Sequence, residues 1–483
     1  MRKIYFFLFL ILIFWSNAQI VNIPDVNFKN YLLAHFDGNQ DNQIQVSEAQ
    51  NVYSINLTSS LSISDITGIE HFSNLTMLII KYNNITAPVN LSQNTNLNVV
   101  TLWGSSPSIN ISGLSVLKYA DLNGKYTSVD LTNKPLLEQL FLGSSNLNTV
   151  NVTSLPLLKR LWISDAGLIT SINVTQNPLL EELVLQQLNL TSIDVTQNPN
   201  MTFLSLNGSP IGTVNISQNV LLERLSLDDT GITSVNLQNN PLINYLNLGH
   251  NNLSAGIDLS NLPLLEELSV FQSNLSTLNL SNNLLLKRLS FGNNSLTNIN
   301  VSHLALLQNF SCVANQLTQV DLSNNPALKY VDFTSNSKLT HINLKNGGNH
   351  NLIWLSPTDY GWLPKLQEVC VDDPSSYYAI QVNSALPPAV NVTAQCTALD
   401  TQEVSIEKTD IKIFPNPVED VLYIRTKEKL VSYEIISSIG SLVKKGNFDK
   451  GAFSVNMQGL SKGIYYIKMS NERFTTTSKV IKK

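Results

Sequence analysis

Apolar and polar residues alternate in one repeated frame, Leu-x-x-Leu-x-Leu, through the middle of this 483-residue chain. It reads Leu158-Lys-Arg-Leu161-Trp-Ile163, Leu180-Glu-Glu-Leu183-Val-Leu185, Leu222-Glu-Arg-Leu225-Ser-Leu227 and Leu265-Glu-Glu-Leu268-Ser-Val270. The last apolar residue falls at Leu142, Ile163, Leu185, Leu206, Leu227, Leu248, Val270, Phe291, Cys312 and Phe333, in steps of 21 or 22 residues. A fixed period of this length predicts a solenoid, because one unit cannot bury its apolar face without neighbours. A second alternation follows in each unit, as in Ser171-Ile172-Asn173-Val174 and Ser234-Val235-Asn236-Leu237, so a strand is expected on both sides of the coil. Turn clusters such as Thr175-Gln176-Asn177-Pro178 close the unit and leave little room for helix. The period fades through Leu122, Leu102, Ile80 and Leu57, which predicts about thirteen or fourteen coils. An Asn or Asp recurs between the outer apolar pair, from Asn110 and Asp130 to Asp321 and Asn343. Stacked, these side chains are expected to bond backbone between coils.

These features resemble the leucine-rich repeat family, over well more than half of the chain. The resemblance implies a β-rich solenoid, a right-handed coil over residues 55–351, with an inner sheet open to ligand.

The flanks of the array read differently. At the start, Arg2-Lys3, the apolar run Ile4–Trp15 and Ser16-Asn17-Ala18 form a secretory signal peptide, residues 1–18. The run is too short to span a bilayer, so no transmembrane segment is expected in the mature chain. Residues 19–54 form a helical cap. It contains Asp37-Gly-Asn39-Gln-Asp41-Asn42-Gln43-Ile44-Gln45-Val-Ser-Glu48, which resembles an EF-hand calcium loop. That resemblance implies Ca²⁺ held by Asp37, Asn39, Asp41, the Gln43 carbonyl and Glu48, with Gln45 acting through water. Position six is Asn42 where the loop pattern has glycine, and Asn tolerates the left-handed backbone better than most residues.

Past the repeats, residues 352–396 close the array, with Trp354, Trp362 and Leu366 expected over its last coil. Leu366–Pro374 resembles the C-terminal cap of secreted bacterial repeat proteins. Export changes the reading of the three cysteines. Cys370 and Cys396 share this cap and are expected to form a disulfide, whereas Cys312 takes an inward core position. Residues 397–410 read as a linker. Residues 411–483 then open with Pro415-Asn416-Pro417, continue in short strands, and end with Leu460-Ser-Lys-Gly463-Ile-Tyr465 and terminal lysines. They resemble the type A C-terminal sorting domain of the type IX secretion system of Bacteroidetes. The resemblance implies a small immunoglobulin-like β-sandwich, the type IX machinery as a partner, and an extracellular or outer-membrane surface address.

Composition narrows the function. Charged residues are 13% of the chain and the net charge is −5, so no nucleic-acid surface is expected. No Gly-x-Ser-x-Gly, His-Glu-x-x-His or phosphate loop occurs, and the six histidines lack metal spacing, so the chain reads as non-catalytic. Residues between the inner apolar positions point out of the concave face. Trp103, Tyr119, Phe141, Trp162, Val184 and Phe203 are therefore expected to form one exposed patch beside Arg160, while later coils present mostly Ser and Asn. Exposed aromatics with Arg are what binding centres favour. The sequence thus points to an exported adhesin or recognition module for a protein or glycan. The alternative is a structural surface or matrix protein without a defined ligand.

Overall fold

The computed structural model describes residues 19–143, 146–347, 353–354, 363–376, 389–396, 411–426, 429–437, 442–448, 453–471 and 475–483. Residues 1–18, read as an export signal, the expected linker at 397–410 and Trp362 lie outside the described residues. The chain divides into two compact units after Thr397. No helix among the described residues is long and apolar enough to cross a membrane.

In the first unit the Leu-x-x-Leu-x-Leu frames become inner strands, paired in parallel and in register. Leu161 stands opposite Leu140 and Leu183, and so on along the array. Fifteen strands join one sheet, from Ser54–Leu57 to Ile353–Trp354. That exceeds the expected coil number because pairing continues past the point where the sequence period is lost. Frame leucines such as Leu161, Leu183, Leu204 and Leu225 are fully buried and build one continuous core. Cys312 is inside it, its thiol pushed well up by burial.

The outer side departs from the expected second strand. Among the described residues, ladder pairing forms there only near the two ends, at Val89–Asn90 with Ile109–Asn110 and from Gln319–Asp321 to Asn391–Thr393. The recurrent outer Asn and Asp do not bond between coils either. Each turns back on its own coil: Asn173 Oδ1 accepts from the Thr175 N–H and hydroxyl at 3.0 and 2.8 Å, and Asp194 does the same with Thr196 at 2.9 and 2.7 Å. The residue two positions on supplies a nearer donor than the next coil.

A different asparagine column joins the coils. Asn198 Nδ2 donates to the Val174 and Asn177 carbonyls, Asn219 to Val195 and Asn198, and Asn240 to Ile216 and Asn219, at 2.8–3.2 Å. All three are fully buried. A second column at the opposite corner, including Asn251 and Asn294, accepts from two backbone N–H groups of the preceding coil. Corners are turned by a residue with φ near +55°, such as Asp165, Gln187 and His250, two places past the last apolar residue. Gly208 fills that place in its coil, where no Cβ opposes the left-handed backbone.

The cap begins with α1, Val26–Phe36, which buries Phe28 and Leu32 on one face. Asp25 caps it through the Asn27 and Phe28 N–H groups, and its other oxygen takes the Ser64 N–H and hydroxyl and the Asp65 N–H. Burial works against the Asp25 charge, but these bonds outweigh it and hold the carboxyl below its ordinary 3.8. With the folded pKa depressed, this stabilisation is present above about pH 4 and is lost as pH falls through the folded value. Acid unfolding of the cap, followed by proteolysis at residues 19–54 between pH 5 and pH 2, should therefore be flattened in Asp25→Asn.

At the other end Leu366 is buried and Cys370 is joined to Cys396. The second unit packs two antiparallel sheets on one core that includes Leu422, Ile435, Ile467 and Val480. Its opening motif is tied to the last strand. Asn416 donates to the Lys479 carbonyl and accepts from the Ile481 N–H, both at 2.8 Å. Gly463 pairs opposite Lys482, and the Tyr465 hydroxyl donates to the Ser461 carbonyl at 2.9 Å. Pro415 and Pro417 flank the Asn416 clasp.

Candidate functional site

Parallel, in-register pairing puts equivalent residues of successive coils side by side, about 4.8 Å apart. The middle column therefore brings Asp121, Phe141, Trp162 and Val184 together. The column two residues earlier holds Tyr119, Gln139, Arg160, Glu182, Phe203, Arg224 and Tyr245. Trp103 belongs to a third column, opposite Asn123. The predicted residues thus lie on one stretch of sheet, spread diagonally over three columns.

The rings lean on one another. Tyr119 and Phe141 have centroids 5.5 Å apart, and Phe141 meets Trp162 nearly edge-on at 5.3 Å. Trp162, at 39% exposure, is the open member of the row, while Trp103, Tyr119, Phe141 and Phe203 are half-buried. Val184 is buried at 6%, contrary to its expected exposure. Its short branched side chain sits between the Trp162 and Ser205 positions, and the indole outreaches it.

Charges border the row on both sides. Arg160 Nε lies 3.2 Å from Glu182, both partly in solvent, a pair worth well under about 1 kcal/mol. Arg224 rests over the Phe203 ring at 4.5 Å and near Tyr245 at 5.3 Å. Lys81 lies over Trp103 at 4.5 Å and 4.0 Å from Asp121. Burial raises the Asp121 carboxyl pKa, offset in part by the Trp103 indole N–H and the Lys81 ammonium. Desolvation, with Asp121 behind it, raises Tyr119 as well.

Two shallow depressions share this surface. One, of about 420 Å³, is lined by Trp103, Asp121, Phe141, Trp162, Gln186 and Phe203. The other, of about 580 Å³, lies between Phe141, Arg160, Glu182, Glu223 and Arg224. The sequence reading missed Tyr82, Lys81 and Arg224 as members. Arg224 was legible, because it continues the Phe203 column. Tyr82 was not, since it sits at a left-handed corner in an irregular coil and reaches Trp103 edge-on at 5.7 Å.

The loop of the N-terminal cap is closed by its own side chains. Asp37 accepts the Asp41 and Asn42 N–H groups, Asn39 and Asp41 accept those of Asp41 and Gln43, and Gln45 Nε2 reaches Asp41 at 2.7 Å. Glu48 takes the Gly38, Asn39 and Gln45 N–H groups and so caps α2, Val46–Ala49. Asn42 has φ +64°, the turn that glycine makes in calcium loops. Among the described residues no three His, Cys, Asp or Glu side chains are gathered to hold a metal.

Residues 412–483 match the family of secretion system C-terminal sorting domains. Among solved structures, the functional domain of InlJ from Listeria monocytogenes, which includes a cysteine ladder, is 22% identical with a TM-score of 0.53. It covers 96% of this chain and 98% of its own. The internalin InlF of Listeria monocytogenes aligns at 17% identity and TM-score 0.48, over 74% of this chain and 98% of its own. At such identities the first likeness speaks to the solenoid fold alone. No curated protein matches the chain.

Proposed function

We propose that this chain, a leucine-rich repeat solenoid carrying a type IX sorting domain and therefore secreted or held at the cell surface, is a non-catalytic recognition protein. Its ligand, a protein or glycan, meets the inner sheet over Trp103–Phe203. The observation that carries this reading is the contrast along the middle column of one sheet. Asp121, Phe141 and Trp162 stand there in the early coils, whereas Ser226, Ser269, Ser290 and Ser311 follow, with Tyr245, Glu267, Arg288 and Tyr330 confined to the neighbouring column. Aromatic and Arg side chains supply large contact area at small entropic cost, which is how binding centres are built. The face offers rings and ion pairs, not a nucleophile beside a base. That serine-rich second half favours the second reading, a surface or matrix spacer with no defined ligand.

Screening the purified chain on arrays of surface proteins and glycans tests the proposal. Trp162→Ala and Phe141→Ala should each weaken a captured ligand by about 2 kcal/mol or more with the fold intact. Unchanged affinity in both variants would hand the case to the spacer reading.

The finer architecture belongs to the same reading: a right-handed coil, an immunoglobulin-like arrangement of the last unit, and an EF-hand-like cap. Asp37, Asn39, Asp41, Gln43 and Glu48 would hold Ca²⁺, with Gln45 through water. Backbone donors already occupy their oxygens, so binding should be weak, with Kd about 10⁻⁴ to 10⁻³ M. Calorimetry should give one site that Glu48→Ala abolishes; silence at millimolar Ca²⁺ would sink the assignment.

A further inference from the structure

A stripe of exposed leucines runs along one flank of the solenoid. Leu136, Leu157, Leu179, Leu221, Leu242 and Leu264 each stand three residues before an inner strand, and each is 37–42% exposed. Val116 and Leu306 extend the stripe at 37% and 43%. Turn positions ordinarily carry polar residues, and the buried leucine or isoleucine that follows each one already fills the core. At roughly 70 Å² per side chain these eight residues offer about 560 Å² of apolar surface, interrupted at the exposed Asn200, at the upper end of what one surface patch ordinarily shows. A standard interface takes about 800 Å² per partner.

We propose that this flank is the contact between two copies of the chain, packed antiparallel about a two-fold axis between the coils of Asn200 and Leu221. A two-fold contact must be self-complementary, and the charges beside the stripe meet that demand in one register. With the axis there, Leu179 faces Leu242 of the second copy and Leu157 faces Leu264. The same operation sets Glu138 against Lys287 and Lys159 against Glu266. Within one copy these four side chains already form the Lys159–Glu138 and Lys287–Glu266 pairs at 2.8 Å, about 35–42% exposed, so they stand on the open flank. A slip of one coil brings Lys159 onto Lys287 and Glu181 onto Glu266, which like charges oppose. The stripe precedes the inner strands, so pairing through it leaves the aromatic face of both copies free.

Sedimentation equilibrium of the purified full chain at micromolar concentration should give the mass of two copies. Leu179→Glu with Leu242→Glu should give one copy with an unchanged circular dichroism spectrum. Should that variant misfold, cross-linking decides. Leu179→Cys with Leu242→Cys should oxidise to a covalent dimer, because within one copy the two positions are about 14 Å apart, beyond disulfide reach. Either cysteine alone should not. A single-copy mass for the wild type overturns the proposal, including the case in which deleting residues 411–483 alone releases a dimer. Efficient cross-linking by Leu179→Cys alone overturns the antiparallel register.

Discussion

Deleting residues 411–483 should leave the repeat unit folded and remove it from the outside of the cell. The two units have separate cores, one built from frame leucines and the other from residues such as Leu422, Ile435 and Ile467. Truncation thus removes no member of the repeat core. The shortened chain is expected in the periplasm, with an unfolding midpoint for the repeats equal to that of the full chain. Asn416→Ala should do the same in part, since both of its bonds to the last strand are lost. Fractionation with immunoblotting reads the outcome. Truncated chain at the surface or in the medium would refute the role of the sorting domain.

Asn219→Ala should be among the costliest single changes in the repeats. It removes the inter-coil donor from two buried carbonyls, Val195 and Asn198, which keep only the Asn198 and Met201 N–H groups of their own coil, and it opens a small cavity. Each lost hydrogen bond costs about 0.5–1.5 kcal/mol and the cavity about 1 kcal/mol, so a loss of about 2–4 kcal/mol is expected. The same column contains natural leucines at Leu155, Leu262 and Leu304, all fully buried, and the fully buried Lys134, whose ammonium donates to the Thr132 carbonyl at 2.8 Å. Asn219→Leu should accordingly cost less than Asn219→Ala, since volume is retained. Denaturant unfolding of the three proteins ranks them. Equal midpoints would show that the ladder contributes nothing to coil-to-coil cohesion.

The inner strands were legible because their physics is one-dimensional. A period of 21 or 22 residues and a buried position at each frame leucine determine which side chains stack. The outer side was less legible. Its alternation, as in Ser171–Val174, matches a strand, yet the coil leaves neighbouring outer segments unpaired over most of the array. The outer Asn and Asp column was misassigned for a related reason. Sequence spacing reports which residues are equivalent, but not whether a side-chain oxygen finds its donor two residues on or one coil away. At the candidate face, register followed from the period, so Phe141, Trp162 and Arg160 were placed correctly side by side. Depth did not follow, because Val184 is hidden by the size of its neighbour rather than by its own position.

Hydroxyl-radical footprinting of aromatic side chains, with and without a captured ligand, addresses the recognition claim most directly. Trp162 should be the most reactive ring of the row in the free chain, matching its 39% exposure. On binding, Trp162, Phe141 and Tyr119 should be protected, while Tyr330 in the later coils keeps its reactivity. Protection confined to the later coils or to the flank, with Trp162 unchanged, would contradict a binding site on the early inner sheet.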